Sequence, residues 1–128
     1  MRSLRETEFF AWLNATLPAT LPDDVAAFSF NLAESPASFV VEVVGASTYD
    51  VKDSDWACGE AWTHRPESFD LSYAEFGEGW ETVLSLIEKW VRTYLATSAP
   101  GAQMLRSAQA VAIGFVDGDL AIIHQTTA

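Results

Sequence analysis

Nucleophilic chemistry in this sequence would have to start from its single cysteine, Cys58. A cysteine nucleophile needs a histidine base within hydrogen-bond reach, and the two histidines are His64 and His124. His64 follows Cys58 at a distance of about 20 Å if the chain between them is extended, and His124 lies near the end of the sequence. No GxSxG motif occurs either. We therefore expect no catalytic nucleophile, and no enzyme of this type.

Glu60 carries the alternative chemistry, because it lies between two tryptophans in the stretch DWACGEAW (55–62). As a β-strand, this stretch would place Trp56, Cys58, Glu60 and Trp62 on one face. Burial between indole rings raises a carboxyl pKa and suits a general acid, as in glycosidases. Such a hydrolase needs a second positioned carboxylate, which the sequence does not nominate. The same residues also suit a protein interface, or the core.

The aspartates before this stretch do not match a metal-binding loop. An EF-hand loop that began at Asp53 would place Cys58 where a glycine is required, and one that began at Asp50 would place Lys52 at its third position. A single cysteine and two distant histidines give no zinc motif. We expect no metal and no cofactor.

Two amphipathic helices are indicated by apolar residues at helical spacing. A capping-box pattern at Ser3–Glu6 predicts a helix that ends near Thr16, because Leu17 precedes Pro18. A second helix is predicted over 79–97 and ended by Pro100-Gly101. Glu88 and Arg92 would pair on its outer face. Its apolar stripe consists of Trp80, Val83, Leu84, Ile87, Trp90, Val91, Tyr94 and Leu95.

Strands are predicted between and after these helices. Alternation predicts one over 28–32, a β-branched run predicts another over 39–44, and DWACGEAW would be the third, with 69–76 a fourth. Asp117-Gly118 predicts a type I′ hairpin that pairs Phe115 with Leu120, Ile113 with Ile122, and Val111 with His124.

This order of elements predicts one α+β domain over 1–128, with a mainly antiparallel sheet of about five or six strands covered by the two helices. Small residues on the third strand and the hairpin would allow the helix stripe to lie close to the sheet, with Trp80 and Trp90 filling the space. The larger side of the third strand, with Trp56, would face away from the helices.

The net charge of −11 is concentrated between Asp23 and Glu81, where thirteen acidic residues face only Lys52 and Arg65. Such a field repels nucleic acids and membranes and attracts basic partners. The alternative is a surface that only solubilises the protein. One cysteine and the lack of a signal-peptide or membrane-spanning run favour the cytoplasm.

Two blocks, YDVKDSDWACGE (49–60) and GFVDGDL (114–120), resemble a group of small acidic bacterial immunity-type proteins associated with polymorphic toxin systems. The resemblance implies an inhibitor that neutralises a toxin domain, and we expect this basic protein as the partner. The oligomeric state is left open, and a nucleic-acid mimic or the Glu60 hydrolase are the alternatives. The partner-binding residues would be Tyr49, Asp50, Asp53, Asp55, Trp56, Glu60 and Trp62.

Overall fold

The computed structural model describes residues 4–50, 52, 56, 60–63, 68–115, 118 and 120–125. These residues contain four helices and six strands. The helices are α1 (Leu4–Thr16), α2 (Tyr73–Phe76), α3 (Trp80–Leu95) and α4 (Pro100–Ser107). The strands are β1 (Ala27–Glu34), β2 (Ser38–Ala46), β3 (Glu60–Thr63), β4 (Phe69–Ser72), β5 (Ala110–Phe115) and β6 (Ala121–Gln125).

All six strands form one sheet. Five of them follow the order β3-β2-β1-β5-β6, and β4 pairs with the same edge of β2 as β3 does, at a different part of that strand. The end of β2 pairs with β3 and its beginning pairs with β4. Every pair is antiparallel except β1 and β5, which run parallel at the centre. The prediction of a single α+β domain with a mainly antiparallel sheet is therefore confirmed.

The main core lies between one face of this sheet and the helices. Phe28, Phe30 and Leu32 alternate into it from β1 with no exposed surface, as the sequence pattern predicted. Helices α1, α3 and α4 contribute apolar side chains to the same cluster. Aromatic rings are dense here: the Phe9 ring lies 5.2 Å from that of Phe69. No helix among the described residues has both the length and the apolar character that a membrane span requires.

The predicted helix boundaries hold, with one addition. Helix α1 ends at Thr16, and α3 lies within the predicted range with Glu88 and Arg92 paired at 3.1 Å. Pro100 follows the end of α3 but also begins α4, because a proline fits the first turn of a helix. The predicted fourth strand is half correct. It ends at Ser72, whose hydroxyl accepts a hydrogen bond from the backbone of Glu75 and begins α2.

The third strand is shorter than the alternation in DWACGEAW predicted. Trp56 lies on a 3₁₀ turn, and β3 begins only at Glu60. Glu60 pairs with Ala46 and Trp62 pairs with the adjacent Gly45, because the register shifts between these two residues of β2. The prediction of a regular strand that already includes Trp56 is therefore wrong. Cys58 lies outside the described residues, and the shared face of Glu60 and Trp62 stays a prediction.

The hairpin also differs in register from its prediction. Val111 pairs with His124 as predicted, but Ile113 pairs with Ala121 instead of Ile122. The register shifts after Val111, so that Ile123 is the extra residue of β6 and is buried, and Ile122 is exposed. The Gly118 N–H donates to the Phe115 carbonyl at 2.9 Å. Asp117 lies outside the described residues, so the type I′ conformation of the turn stays a prediction.

Ala61 of β3 packs against the main core as predicted, but Ala112 of the hairpin faces away from the helices, which corrects the predicted packing there. A second cluster on that face contains Ala27, Ala46, Ala110 and Ala112, and Trp56 packs on it. The helices instead contact the face with large side chains. Trp90 is buried there, but Trp80 is 48% exposed. The prediction that Trp80 fills space above small sheet residues is therefore wrong. Trp56 does lie on the helix-free side, as predicted.

Candidate functional site

The predicted partner-binding stretch contains a packed aromatic pair. The rings of Tyr49 and Trp56 meet edge to face at 5.2 Å, and Trp56 is only 6% exposed. Its neighbours are the small sheet residues Ala27, Ala46 and Ala110. The Tyr49 hydroxyl is buried and has no hydrogen-bond partner in the described part of the chain. The structure thus gives Trp56 a packing role, because an interface anchor must be reachable in the free protein.

The other residues of this stretch are not brought together within the described residues. Asp50 is exposed, and its carboxylate accepts a hydrogen bond at 2.9 Å from the backbone N–H of Lys52. Asp53 and Asp55 lie outside the described residues, as does His64. Only the backbone pairing of Glu60 and Trp62 is described. Partner binding through this stretch, and acid catalysis by Glu60, therefore stay predictions.

The other histidine has a structural contact. The His124 Nε2 atom lies 3.1 Å from the Arg106 carbonyl oxygen, which joins β6 to the end of α4. Arg106 itself donates hydrogen bonds to the Leu95 and Thr97 carbonyls, which join α4 to the end of α3. These contacts tie the helix layer to the sheet edge.

A cleft of about 240 Å³ lies where α3 begins, and it is lined by Glu34, Trp80, Phe115 and Gly118. We call these four residues the Trp80 cleft. Trp80 is the most exposed large apolar side chain of the described residues, at 48%. A large exposed aromatic ring beside a cavity is unusual for a core position and is typical of binding sites. The Trp80 cleft is therefore a candidate site among the described residues.

A chain of edge-to-face aromatic contacts holds Trp80 in place. Its ring lies 5.9 Å from that of Phe115, Phe115 lies 5.8 Å from Phe39, and Phe39 lies 5.0 Å from Tyr73. Phe39 is buried and belongs to the main core. Because such ring pairs favour defined geometries, the indole is oriented by the core although half of it meets solvent.

Glu34 enters the cleft from the last position of β1, and the turn after it is well braced. Ser35 and Ser38 bond each other through backbone and hydroxyl groups, with the Ser35 N–H donating to the Ser38 carbonyl at 2.8 Å. The Tyr73 hydroxyl donates to the Ser35 carbonyl at 2.7 Å. Tyr73 therefore fixes both the turn beside Glu34 and the aromatic chain that leads to Trp80.

The surroundings of the cleft are acidic. Glu34 is exposed, and so are Glu78 and Glu81, which lie within two residues of Trp80 along the chain. None of the three makes an ion pair in the described part of the chain, unlike Glu8 and Glu75, which pair with Arg5, and Glu88, which pairs with Arg92. An exposed indole near unpaired carboxylates favours a cationic ligand.

The sequence contained a signal for this site that the prediction did not use. Trp80 is the first member of the apolar stripe of α3, and it is flanked by Glu78 and Glu81 in EGWE. The first residue of an apolar helix stripe is buried only if the sheet that covers the helix extends as far as that residue. Glu34 could not be linked to Trp80 from the sequence, because their proximity depends on the pairing of β1 with β5.

Among the described residues, no group of three or more histidine, cysteine, aspartate or glutamate side chains is placed to hold a metal ion. Comparisons of the chain with protein-family models, with curated proteins and with solved structures give no match. The structure itself defines the class as a single α+β domain with the four described helices on one face of a mixed sheet.

Proposed function

We propose that this protein is an inhibitory binding protein of the immunity type, which docks its acidic surface on a basic toxin domain in the cytoplasm. The resemblance of residues 49–60 and 114–120 to immunity-type proteins motivates the proposal. Support from the structure comes from the way in which charged side chains are used.

The carrying observation is that most exposed acidic side chains make no ion pair in the described part of the chain, while the described arginines bond groups of the same chain. The three described arginines, Arg5, Arg92 and Arg106, each bond carboxylates or backbone carbonyls of the same chain. Eight described carboxylates are exposed and make no ion pair in the described part of the chain. These are Asp23, Asp24, Glu34, Glu42, Asp50, Asp70, Glu78 and Glu81.

Unpaired carboxylates of one sign give a long-range negative field. Such a field raises the association rate with a basic protein by about 10- to 1,000-fold, and the effect falls with ionic strength. Rapid capture is the property that an inhibitor of a toxin needs. A surface that only solubilises the protein would not require the oriented aromatic ring of Trp80 among these charges.

The test is a growth-rescue assay. Each toxin domain encoded in the source genome is expressed in a heterologous bacterium with and without this protein. We expect rescue from one basic domain, a stable stoichiometric complex by light scattering, and loss of the toxin's activity in vitro. Absence of rescue and of complex formation across the whole set contradicts the proposal.

A pair of matched variants tests the role of charge in that complex. One changes Glu34, Glu78 and Glu81 to Gln, and the other changes Asp23 and Asp24 to Asn and Glu42 to Gln. Both raise the net charge by the same amount. We expect association measured by stopped flow to slow more in the first, and the difference to shrink with added salt. Equal slowing would show that only the total charge matters.

A further inference from the structure

We propose that the Trp80 cleft receives an arginine side chain of the protein partner, with its guanidinium against the Trp80 indole and near the Glu34 carboxylate. The inference rests on the proposed function for the source of the arginine. It adds a defined site, whose described lining residues do not belong to the stretch 49–62.

The size of the cleft favours a single side chain. Its volume of about 240 Å³ lies below the roughly 300–1,000 Å³ of pockets that hold drug-sized ligands and cofactors. It is nevertheless far larger than the space that one ordered water needs. A long, narrow side chain that enters from a docked surface matches this volume.

The chemistry of the cleft favours a guanidinium. Tryptophan gives the strongest cation–π contact of the aromatic residues, and arginine stacks on aromatic rings more often than lysine does. A carboxylate can accept two parallel hydrogen bonds from a guanidinium. Glu34 and Trp80 both line the cleft, so that one planar cation can contact both. An anionic group would instead meet Glu34 and the exposed Glu78 and Glu81.

The same protein already binds a guanidinium in this way elsewhere. The Arg5 guanidinium carbon lies 5.1 Å from the ring centre of Phe69 and 5.6 Å from that of Phe76. Its nitrogens lie 2.9 Å from the Glu8 carboxylate and 3.3 Å from that of Glu75. The Trp80 cleft offers the same two kinds of partner, aromatic ring and carboxylate, with no arginine of the described residues among its lining groups.

The site is also prepared before binding. The aromatic chain through Phe115, Phe39 and Tyr73 orients the indole, and the hydrogen-bonded turn after β1 positions Glu34. Preorganised groups lose less conformational entropy on binding, so a weak pair of contacts becomes useful at an interface.

The test is an NMR titration of the full chain with a capped tripeptide, acetyl-Gly-Arg-Gly-amide. Its matched control contains citrulline, which has nearly the same shape without the charge. We expect the arginine peptide to shift the Trp80 indole N–H signal, assigned with Trp80→Phe. The citrulline peptide should bind at least about tenfold more weakly. Equal shifts from both peptides, or no shift of the Trp80 signal, would overturn the inference.

Two carboxylate variants separate the cleft from the general field. Glu34→Gln and Glu42→Gln remove the same charge from exposed positions of neighbouring strands, but only Glu34 lines the cleft. We expect Glu34→Gln to weaken peptide binding by about fivefold or more and Glu42→Gln by less than twofold. Equal effects contradict the site.

The failure of this inference can be told apart from the failure of the proposed function. If the peptide binds as expected but no toxin is inhibited, the proposed function fails and the arginine site stands. If a toxin is inhibited but the peptide does not bind, the proposed function stands and the arginine site fails.

Discussion

Gly101 provides a sharp test of the packing between α4 and α3. In an exposed helix interior, replacing Gly by Ala stabilises a protein by about 1 kcal/mol. Here a Cβ atom would overlap the hydroxyl oxygen of Tyr94 and lie 3.1 Å from the nearest methyl carbon of Leu17. Tyr94 is 1% exposed, and its hydroxyl donates to the Asn14 side chain at 2.8 Å, so a shift of the ring would disturb both the core packing and this hydrogen bond.

We therefore expect Gly101→Ala to destabilise the protein. Overpacking of a filled core costs about 1–3 kcal/mol, which exceeds the gain in helix propensity. The net loss should be about 1–2 kcal/mol in the free energy of unfolding, measured by urea denaturation. A Gly101→Ala variant that is more stable than the wild type would refute the argument.

The matched control removes the atom that causes the overlap. Tyr94→Phe alone should cost about 1 kcal/mol through the lost hydrogen bond to Asn14, which is exposed and can bond water instead. In the Tyr94→Phe background, Gly101→Ala should then cost at least about 1 kcal/mol less than in the wild type. Additive effects of the two substitutions would place the strain elsewhere.

Three further predictions concern the core and the tryptophans. Ile87→Ala and Ile113→Ala should each lower the free energy of unfolding by about 2–5 kcal/mol in denaturant melts, because both side chains are at most 1% exposed. If either variant were as stable as the wild type, the core described above would be contradicted. Trp56→Ala should lower the free energy of unfolding by about 3–5 kcal/mol, measured by calorimetry, while Trp80→Ala should change it by no more than about 0.5 kcal/mol. The opposite ranking would make Trp80 the packing residue and Trp56 the exposed one. Burial raises the pKa of the Tyr94 hydroxyl above its ordinary value of 10.0. The contribution of this hydroxyl to stability is therefore complete below pH 10.0. It is lost as the pH rises through the raised pKa, because the tyrosine ionises at a lower pH in the unfolded chain than in the folded one. Melting temperatures at rising alkaline pH should therefore fall more steeply for the wild type than for Tyr94→Phe, and parallel curves would show that Tyr94 does not contribute.

The helices and the central strands were predictable because strong local patterns specify them. The stripe of α3 predicts the burial of Ile87 and Trp90, and the Leu-Pro pair after Thr16 predicts the end of α1. Local pattern could not show that Pro100 both follows one helix and begins another, because proline is common at each of these positions.

Register and long-range pairing were not predictable in the same way. The strict alternation of DWACGEAW is compatible with a regular strand, and the shift beside Gly45 depends on the partner strand rather than on this segment. The exposure of Trp80 has a similar cause. Its position in the stripe of α3 indicates a core residue, and only the three-dimensional structure shows where the covering layer ends.

The parallel pairing of β1 with β5 has a consequence for the order of folding. Ala27 pairs with Ala110 across β2, β3, β4 and three helices, so the central strand lacks one neighbour until β5 has been synthesised. Contacts between distant parts of a chain slow folding, and an open strand edge favours association with other chains. During translation, β1 and β2 would form a hairpin with an unprotected inner edge. We therefore expect this protein to fold only late in its synthesis and to depend on chaperones more than its small size suggests.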